Sequence, residues 1–215
     1  MKKSVLKITA LSSLLLSAAT LAAPSAEIKV TGELITPTCD VTLNKNGVFD
    51  YGKINQTLIN DKQPTSLGND LNDTVKVQCS APTPLTFKLT DNRLGTASMA
   101  GSKYFGLGNV NGSGKLGYYT LNTGAGFVDG QPAAIIVVSP NGTISGAPMS
   151  STLEHSGQRL GWRAMGNPTE LAIGKQFELP LTSKAFLAKK SEMQGGISED
   201  VSLDGSATLE FGFGL

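Results

Sequence analysis

The side chains able to do chemistry in this chain are few. Cysteine occurs twice, at Cys39 and Cys79, and histidine once, at His155. A structural or catalytic metal needs a cluster of sulfur and imidazole ligands, and one histidine with two widely separated cysteines does not supply it. His155 stands in Ser150-Ser151-Thr152-Leu153-Glu154-His155-Ser156-Gly157. Its serine and glutamate neighbours lie along one loop, whereas a nucleophilic triad is assembled in space, and no G-x-S-x-G elbow occurs. His155 reads as a solvated loop residue. The run Gly106-Leu107-Gly108-Asn109-Val110-Asn111-Gly112-Ser113-Gly114-Lys115 invites comparison with phosphate-binding loops. Its spacing misses both the dinucleotide fingerprint and the P-loop by one residue, and Leu116 stands where a magnesium-binding hydroxyl belongs. It reads as a glycine-rich turn. Asp70, Asp73, Asp91, Glu199, Asp200 and Asp204 lie near turns without a calcium-loop pattern. The expectation is a non-enzymatic protein with no catalytic residue, metal or cofactor.

One further chemistry is open to the aromatics. Tyr104, Tyr118, Tyr119 and Trp162 could stack on sugar rings if exposed. Tyr118 and Tyr119 are adjacent and must point to opposite faces of a strand. One is then expected in the core and the other on the surface.

The N-terminus sets the compartment. Lys2, Lys3 and Lys7 precede an apolar run from Ile8 to Leu21, followed by small residues. This is the three-part layout of a secretory signal peptide, assigned to residues 1–22 with the mature domain at 23–215. The apolar run is short for a membrane span, and no second such stretch follows, so no span is expected after signal removal. Removal takes three positive charges from a chain of formal charge +1. The mildly acidic remainder has no basic patch with interleaved aromatics, so nucleic acid is not an expected partner. In an oxidising compartment Cys39 and Cys79 are expected to pair with each other.

The mature chain reads as strands. Val75, Val77 and Cys79 alternate with polar residues, and Leu85, Phe87 and Leu89 do the same beyond Ala81-Pro82-Thr83-Pro84. Two such runs around a proline-rich stretch predict consecutive antiparallel strands joined by a turn. Further strands are predicted at 115–121, 134–139, 160–165, 176–181, 201–203 and 207–215. Pro180 is expected at a sheet edge or at the end of its strand. Ahead of these, Ile28, Val30 and Leu34 share one parity, and Ile35, Cys39, Val41 and Leu43 share the other. A change of face within a strand predicts a bulge or a change of partner near residues 32–37. Glycine- and asparagine-rich breakers, among them Asn111-Gly112 and Asp129-Gly130, separate the runs. Many short strands of this kind predict an all-β antiparallel sandwich.

The chain ends on Leu209, Phe211, Phe213 and Leu215 in alternation. The order of features, from Gly32-Glu33-Leu34-Ile35-Thr36-Pro37-Thr38-Cys39-Asp40-Val41 through Tyr51-Gly52-Lys53-Ile54 and Val75-Lys76-Val77-Gln78-Cys79 to this apolar terminal strand, resembles the subunits of chaperone–usher pili. Gly117-Tyr118-Tyr119-Thr120-Leu121 and Ser139-Pro140-Asn141-Gly142 look more like a fimbrial-like secreted branch of unassigned function. The resemblance implies an immunoglobulin-like sandwich that lacks its final strand. Cys39 and Cys79 would tie its first two strands together. A periplasmic chaperone would fill the groove beside Leu209, Phe211, Phe213 and Leu215 and hold the terminal carboxylate. An outer-membrane usher and neighbouring pilus subunits would be the later partners, with a donor strand replacing the chaperone. The implied location is the periplasm and then the fimbrium or cell surface of a Gram-negative bacterium.

The sequence departs from that pattern in two places. Gly214 stands where such subunits carry an aromatic. The N-terminal donor segment, taken as residues 23–30, offers only Ile28 and Val30 as apolar plugs. That would suit a terminal or minor component, or a secreted relative that does not polymerise. The rival to the subunit is a monomeric secreted carbohydrate-binding or adhesive module on a complete sandwich. It would bind a surface glycan through Tyr104, Tyr119 and Trp162. A hydrolase using His155 is the least supported reading.

Overall fold

Leu71–Asp91 forms a single strand of 21 residues, with which the strands Cys39–Leu43, Arg159–Ala164, Ile173–Leu187 and Ala207–Phe213 pair. The computed structural model describes residues 25–144, 152–197 and 199–214. The signal segment and Leu215 lie outside the described residues. The chain divides into an N-terminal unit ending at Ile35 and a domain that begins at Thr36. In the first unit, residues 25–35 form no strand, and Ile28, Val30 and Leu34 are almost fully exposed.

The strands of the second unit are β1 (Cys39–Leu43), β2 (Thr65–Ser66), β3 (Leu71–Asp91), β4 (Phe105–Gly106), β5 (Asn109–Val110), β6 (Gly114–Lys115), β7 (Gly117–Asn122), β8 (Gly126–Val128), β9 (Gln131–Val138), β10 (Arg159–Ala164), β11 (Ile173–Leu187) and β12 (Ala207–Phe213). Their named pairings are all antiparallel, so the all-β antiparallel architecture is what the sequence predicts.

No turn separates the two alternating runs. Along β3 the odd-numbered residues from Asp73 to Asp91 are buried, apart from half-buried Ala81. A reversing turn would have to break that phase, and the phase is unbroken. The prolines instead mark a bend. Gln78 pairs with Gln176 of β11, but Thr83 pairs with Gly174, so β3 pulls away from its neighbour between these points. Pro84 has no N–H to offer, yet its carbonyl accepts the Gly214 N–H at 2.8 Å. The first half of β3 lies between β1 and β11, and the second half between β12 and β10. From β10 the ladder continues through β9 and β8 and returns to β11 at Phe177 and Glu178. The pairings β3–β10–β9–β8–β11–β3 thus close a ring around the core.

Three other expectations change. The first strand begins only at Cys39, so no change of face occurs inside it; residues 25–37 join no strand, and Thr38 is tied to β3 by the Ser80 N–H, which donates to its carbonyl at 2.8 Å. The segment 201–203 makes no ladder, although Leu203 packs on the core and the Asp204 N–H donates to Leu107 O at 3.0 Å. Pro180 lies well inside β11, opposite Thr74. On the other edge of β11, β8 reaches only to Glu178 and β7 starts at Thr182, so the missing N–H falls in an interval without a ladder there.

The core centres on Trp162. Its ring lies 5.1 Å from Phe87 and 5.3 Å from Phe177, and its indole N–H donates to Glu178 O at 3.0 Å. The close approach of Trp162 requires glycine at 126, where a Cβ would stand 2.5 Å from the indole nitrogen. The β8–β9 connection is a two-residue turn, with Asp129 at φ 47° and Gly130 at φ 78°. Both positive angles match the hairpin turn that Asp-Gly favours. The Asp129 carboxylate then accepts the N–H groups of Lys175 and Gln176, fixing the turn to β11. Tyr118 and Tyr119 do point to opposite faces, but both are buried. Tyr119 enters the core against Phe105, while Tyr118 is covered by Phe186 and Tyr104. Burial pushes both phenols above their ordinary pKa.

Cys39 and Cys79 are bonded, with Cα atoms 4.0 Å apart, at the first register pair of β1 and β3. Substitution of both by serine is expected to cost about 4 kcal/mol, through the freed loop in the unfolded chain. An unchanged denaturation midpoint would show that the ladder alone fixes β1. Gly126→Ala is expected to cost about 1–3 kcal/mol by overpacking, with a red shift of the Trp162 emission. A native emission spectrum at native stability would refute the contact.

Candidate subunit-contact edge

The terminal strand forms because Leu209, Phe211 and Phe213 alternate with Thr208, Glu210 and Gly212. The register is fixed at both ends. At the start, the Asn92 N–H donates to Ser206 O, and its side-chain amide donates to Ser206 and Thr208 hydroxyls. At the end, the Gly214 N–H reaches Pro84 O. Between them β12 pairs residue by residue with β3: Leu209 with Leu89, Phe211 with Phe87, Phe213 with Leu85.

Directly opposed residues of paired strands share a face. The three residues on β3 are at most 2% exposed. Their partners are not sealed. Leu209 and Phe211 are only half-buried, and Phe213 is 43% exposed. The core is therefore closed over β3 and open over β12. The aromatic chain Phe177–Trp162–Phe87 runs out to this opening, where Phe211 lies 6.0 Å from Phe87. Among the described residues β12 has β3 as its one ladder partner, so its outer edge presents unpaired N–H and C=O groups. β1 is alike: it pairs with β3 alone, and Val41 is 43% exposed.

The opposite face of β12 is polar. Glu210 pairs with Lys88 at 3.0 Å and with Arg159 at 3.7 Å. Arg159 also donates to Thr86 Oγ1, which in turn donates to Gly212 O. A side chain at 212 would meet the guanidinium at 2.8 Å, so glycine there lets Arg159 lie across the strand. Gly214 has a similar origin. A Cβ at 214 would stand 2.6 Å from the tip of the Leu171 side chain, so an aromatic there, as the resemblance implies, requires Leu171 to move aside.

The other sequence candidates lie elsewhere. Ile28 and Val30 belong to the exposed N-terminal unit. Leu34 lies in the same strand-free segment and is as exposed. Its even parity with Ile28 and Val30 is the sequence signal that places it on their face when extended. Trp162 and Tyr119 are core residues, which removes two of the three aromatics proposed for a glycan site. The edge of the His155 ring meets Phe105, and its Nε2 lies 3.3 Å from Tyr104 O. The nearby Ser102 hydroxyl donates to Glu154 at 2.6 Å rather than to the imidazole. The glycine-rich run 106–115 builds β4 and the β5–β6 hairpin, turning at Asn111 and Gly112. Among the described residues no helix is long and apolar enough to cross a membrane.

A family profile described as a protein of unknown function, DUF1120, matches residues 28–106. No curated protein matches the chain. Of the solved structures, a chain of a chaperone–usher pilus, from work on the basis of rod uncoiling, aligns with 91% of this chain and 99% of its own length, at 11% identity and a TM-score of 0.33.

Proposed function

We propose that the protein is a non-enzymatic, fimbrial-like structural subunit, exported to the periplasm and then assembled at the cell surface. The observation that carries this reading is the contrast across β12. Leu85, Phe87 and Leu89 are sealed, while Leu209, Phe211 and Phe213 opposite them are left half-covered beside an unpaired strand edge. One added strand supplies both missing elements, apolar cover and ladder hydrogen bonds. Left bare, the edge is a template for aggregation, which gives a periplasmic chaperone its role. An outer-membrane usher and neighbouring subunits then follow as partners, as the resemblance to pilus subunits implies.

The N-terminal segment fits the donor part of that scheme better than residues 23–30 alone. It forms no strand up to Pro37, and Ile28, Val30 and Leu34 are spaced so that they share one face when extended, with Gly32 between. Three plugs rather than two make this chain a donor as well as an acceptor.

The test is expression of the mature chain in a periplasm with and without its cognate chaperone, beside a variant lacking Leu209 to Leu215. The intact chain is expected to be soluble only as a one-to-one complex, and the truncated chain to be lost. A stable monomer indifferent to the chaperone would end the subunit reading. A synthetic peptide of residues 25–38 is expected to displace the chaperone from that complex. Leu34→Asp in the peptide is expected to weaken displacement by about tenfold or more, the value of one buried leucine. Equal displacement by both peptides would remove Leu34 from the donor.

A further inference from the structure

A second feature lies away from the β12 edge and does not depend on the subunit reading. The connection from β3 to β4, with Lys115 of β6 and His155, lines an open cavity of about 330 Å³. Leu94, Ser98, Met99, Tyr104, Lys115 and His155 line it. We infer that this cavity is a binding site for a small ring-bearing carboxylate, of which an acidic sugar and an aryl carboxylate are the two sources.

The walls are built rather than incidental. The His155 N–H donates to Ser102 O at 2.8 Å, and the Ser102 hydroxyl donates to Glu154, so the two wall segments are tied together. The Tyr104 ring is braced edge-on by Tyr118 at 5.0 Å, which stacks on Phe186 at 4.9 Å. The Tyr104 N–H donates to Gly101 O, closing the turn that carries the ring. A braced aromatic loses little freedom when a flat ring packs on it.

The charge in the cavity selects the ligand. Lys115 Nζ donates to Ala97 O at 3.0 Å and keeps two further N–H donors. Among the described residues no carboxylate lies within ion-pair distance of it. The acid that also lines the cavity, Asp91, is buried and already accepts the N–H groups of Arg93 and Gly106. The ammonium is thus the unpaired charge, and it favours an anion. Ser98 adds a second unmet group: its hydroxyl is buried with no hydrogen-bond partner among the described residues. Such a group is expected to have a polar partner in the working state, and a hydroxyl turns on a single χ1 torsion to meet one. Leu94 is 72% and Met99 40% exposed at this site, and these apolar side chains suit the body of a ligand rather than a bare inorganic anion.

The experiment uses the mature chain as purified, with its chaperone if the two are obtained only as a complex. Ligand-observed NMR and calorimetry are run with glucuronate and benzoate, against glucose and benzyl alcohol as neutral counterparts. At least one carboxylate is expected to bind, with its neutral counterpart weaker by about tenfold or more, as for loss of a charged hydrogen bond. Lys115→Gln keeps an N–H for Ala97 O but removes the charge, and is expected to weaken binding to the same extent. Tyr104→Leu keeps apolar volume but removes the aromatic face, and is expected to weaken it further. Both variants are checked for an unchanged unfolding midpoint. Binding of glucuronate alone assigns the sugar, and binding of benzoate alone the aryl acid. No binding of either acid, or binding that ignores both the ligand charge and Lys115→Gln, overturns the inference.

Discussion

The long strand β3 is the element on which every other depends. It offers its first half to β1 and β11 and its second half to β12 and β10. The two groups of strands are therefore not independent sheets that happen to stack. They share one backbone, bent where Ala81–Pro84 draws it away from β11. Packing alone leaves sheets free to slide by small amounts, whereas a shared strand fixes their register absolutely. The ring through β10, β9, β8 and β11 then closes on that fixed frame. Trp162 fills the interior of the ring and bonds to β11 through its indole N–H, so the core also has one defined rotational setting.

Against this frame β12 is the lightly held member. It is tied by its ladder to β3 and by caps at Asn92 and Pro84. Its ion pairs with Lys88 and Arg159 lie on a partly exposed face, where such pairs contribute little. What it lacks is a cover on its apolar side. Edge strands in stable monomers are usually short, charged or hidden. Here the edge strand carries Leu209, Phe211 and Phe213, half-buried or exposed, on its apolar side.

Much of this was legible in the sequence, and the failures have physical causes. Alternation marked β1, the β3 runs, part of β11 and β12 because one buried face imposes a period of two, whereas the short β2, β4, β5 and β8 left no such pattern. Asp129-Gly130 stood out only as a breaker; that it is a hairpin turn follows from two successive positive φ angles, which few residues accept. The prolines at 82 and 84 misled because proline signals both turns and edge positions without ladder donors. The deciding sign was parity: Val75 to Cys79 and Leu85 to Leu89 are all odd, as one unbroken strand requires. The expectation that one of Tyr118 and Tyr119 lies on the surface fails because alternation says which face a residue occupies, not whether another segment covers that face. The cavity near Tyr104 was not legible at all. It is formed by segments far apart in the chain, and no local pattern announces a lysine without a carboxylate beside it.

The position of the disulfide has a mechanical consequence. Cys39 is the first residue of β1, so the strand-free N-terminal segment ends almost at the crosslink. Tension on that segment would not peel β1 from the sheet one hydrogen bond at a time. It would pass through sulfur directly into β3 at Cys79. A load applied to β12 enters the same strand between Leu85 and Asp91. The segment of β3 from Cys79 to Leu85, with its two prolines, is then the covalent link between both loads, and β11, paired with β3 at Gln78 and again at Thr83, braces it.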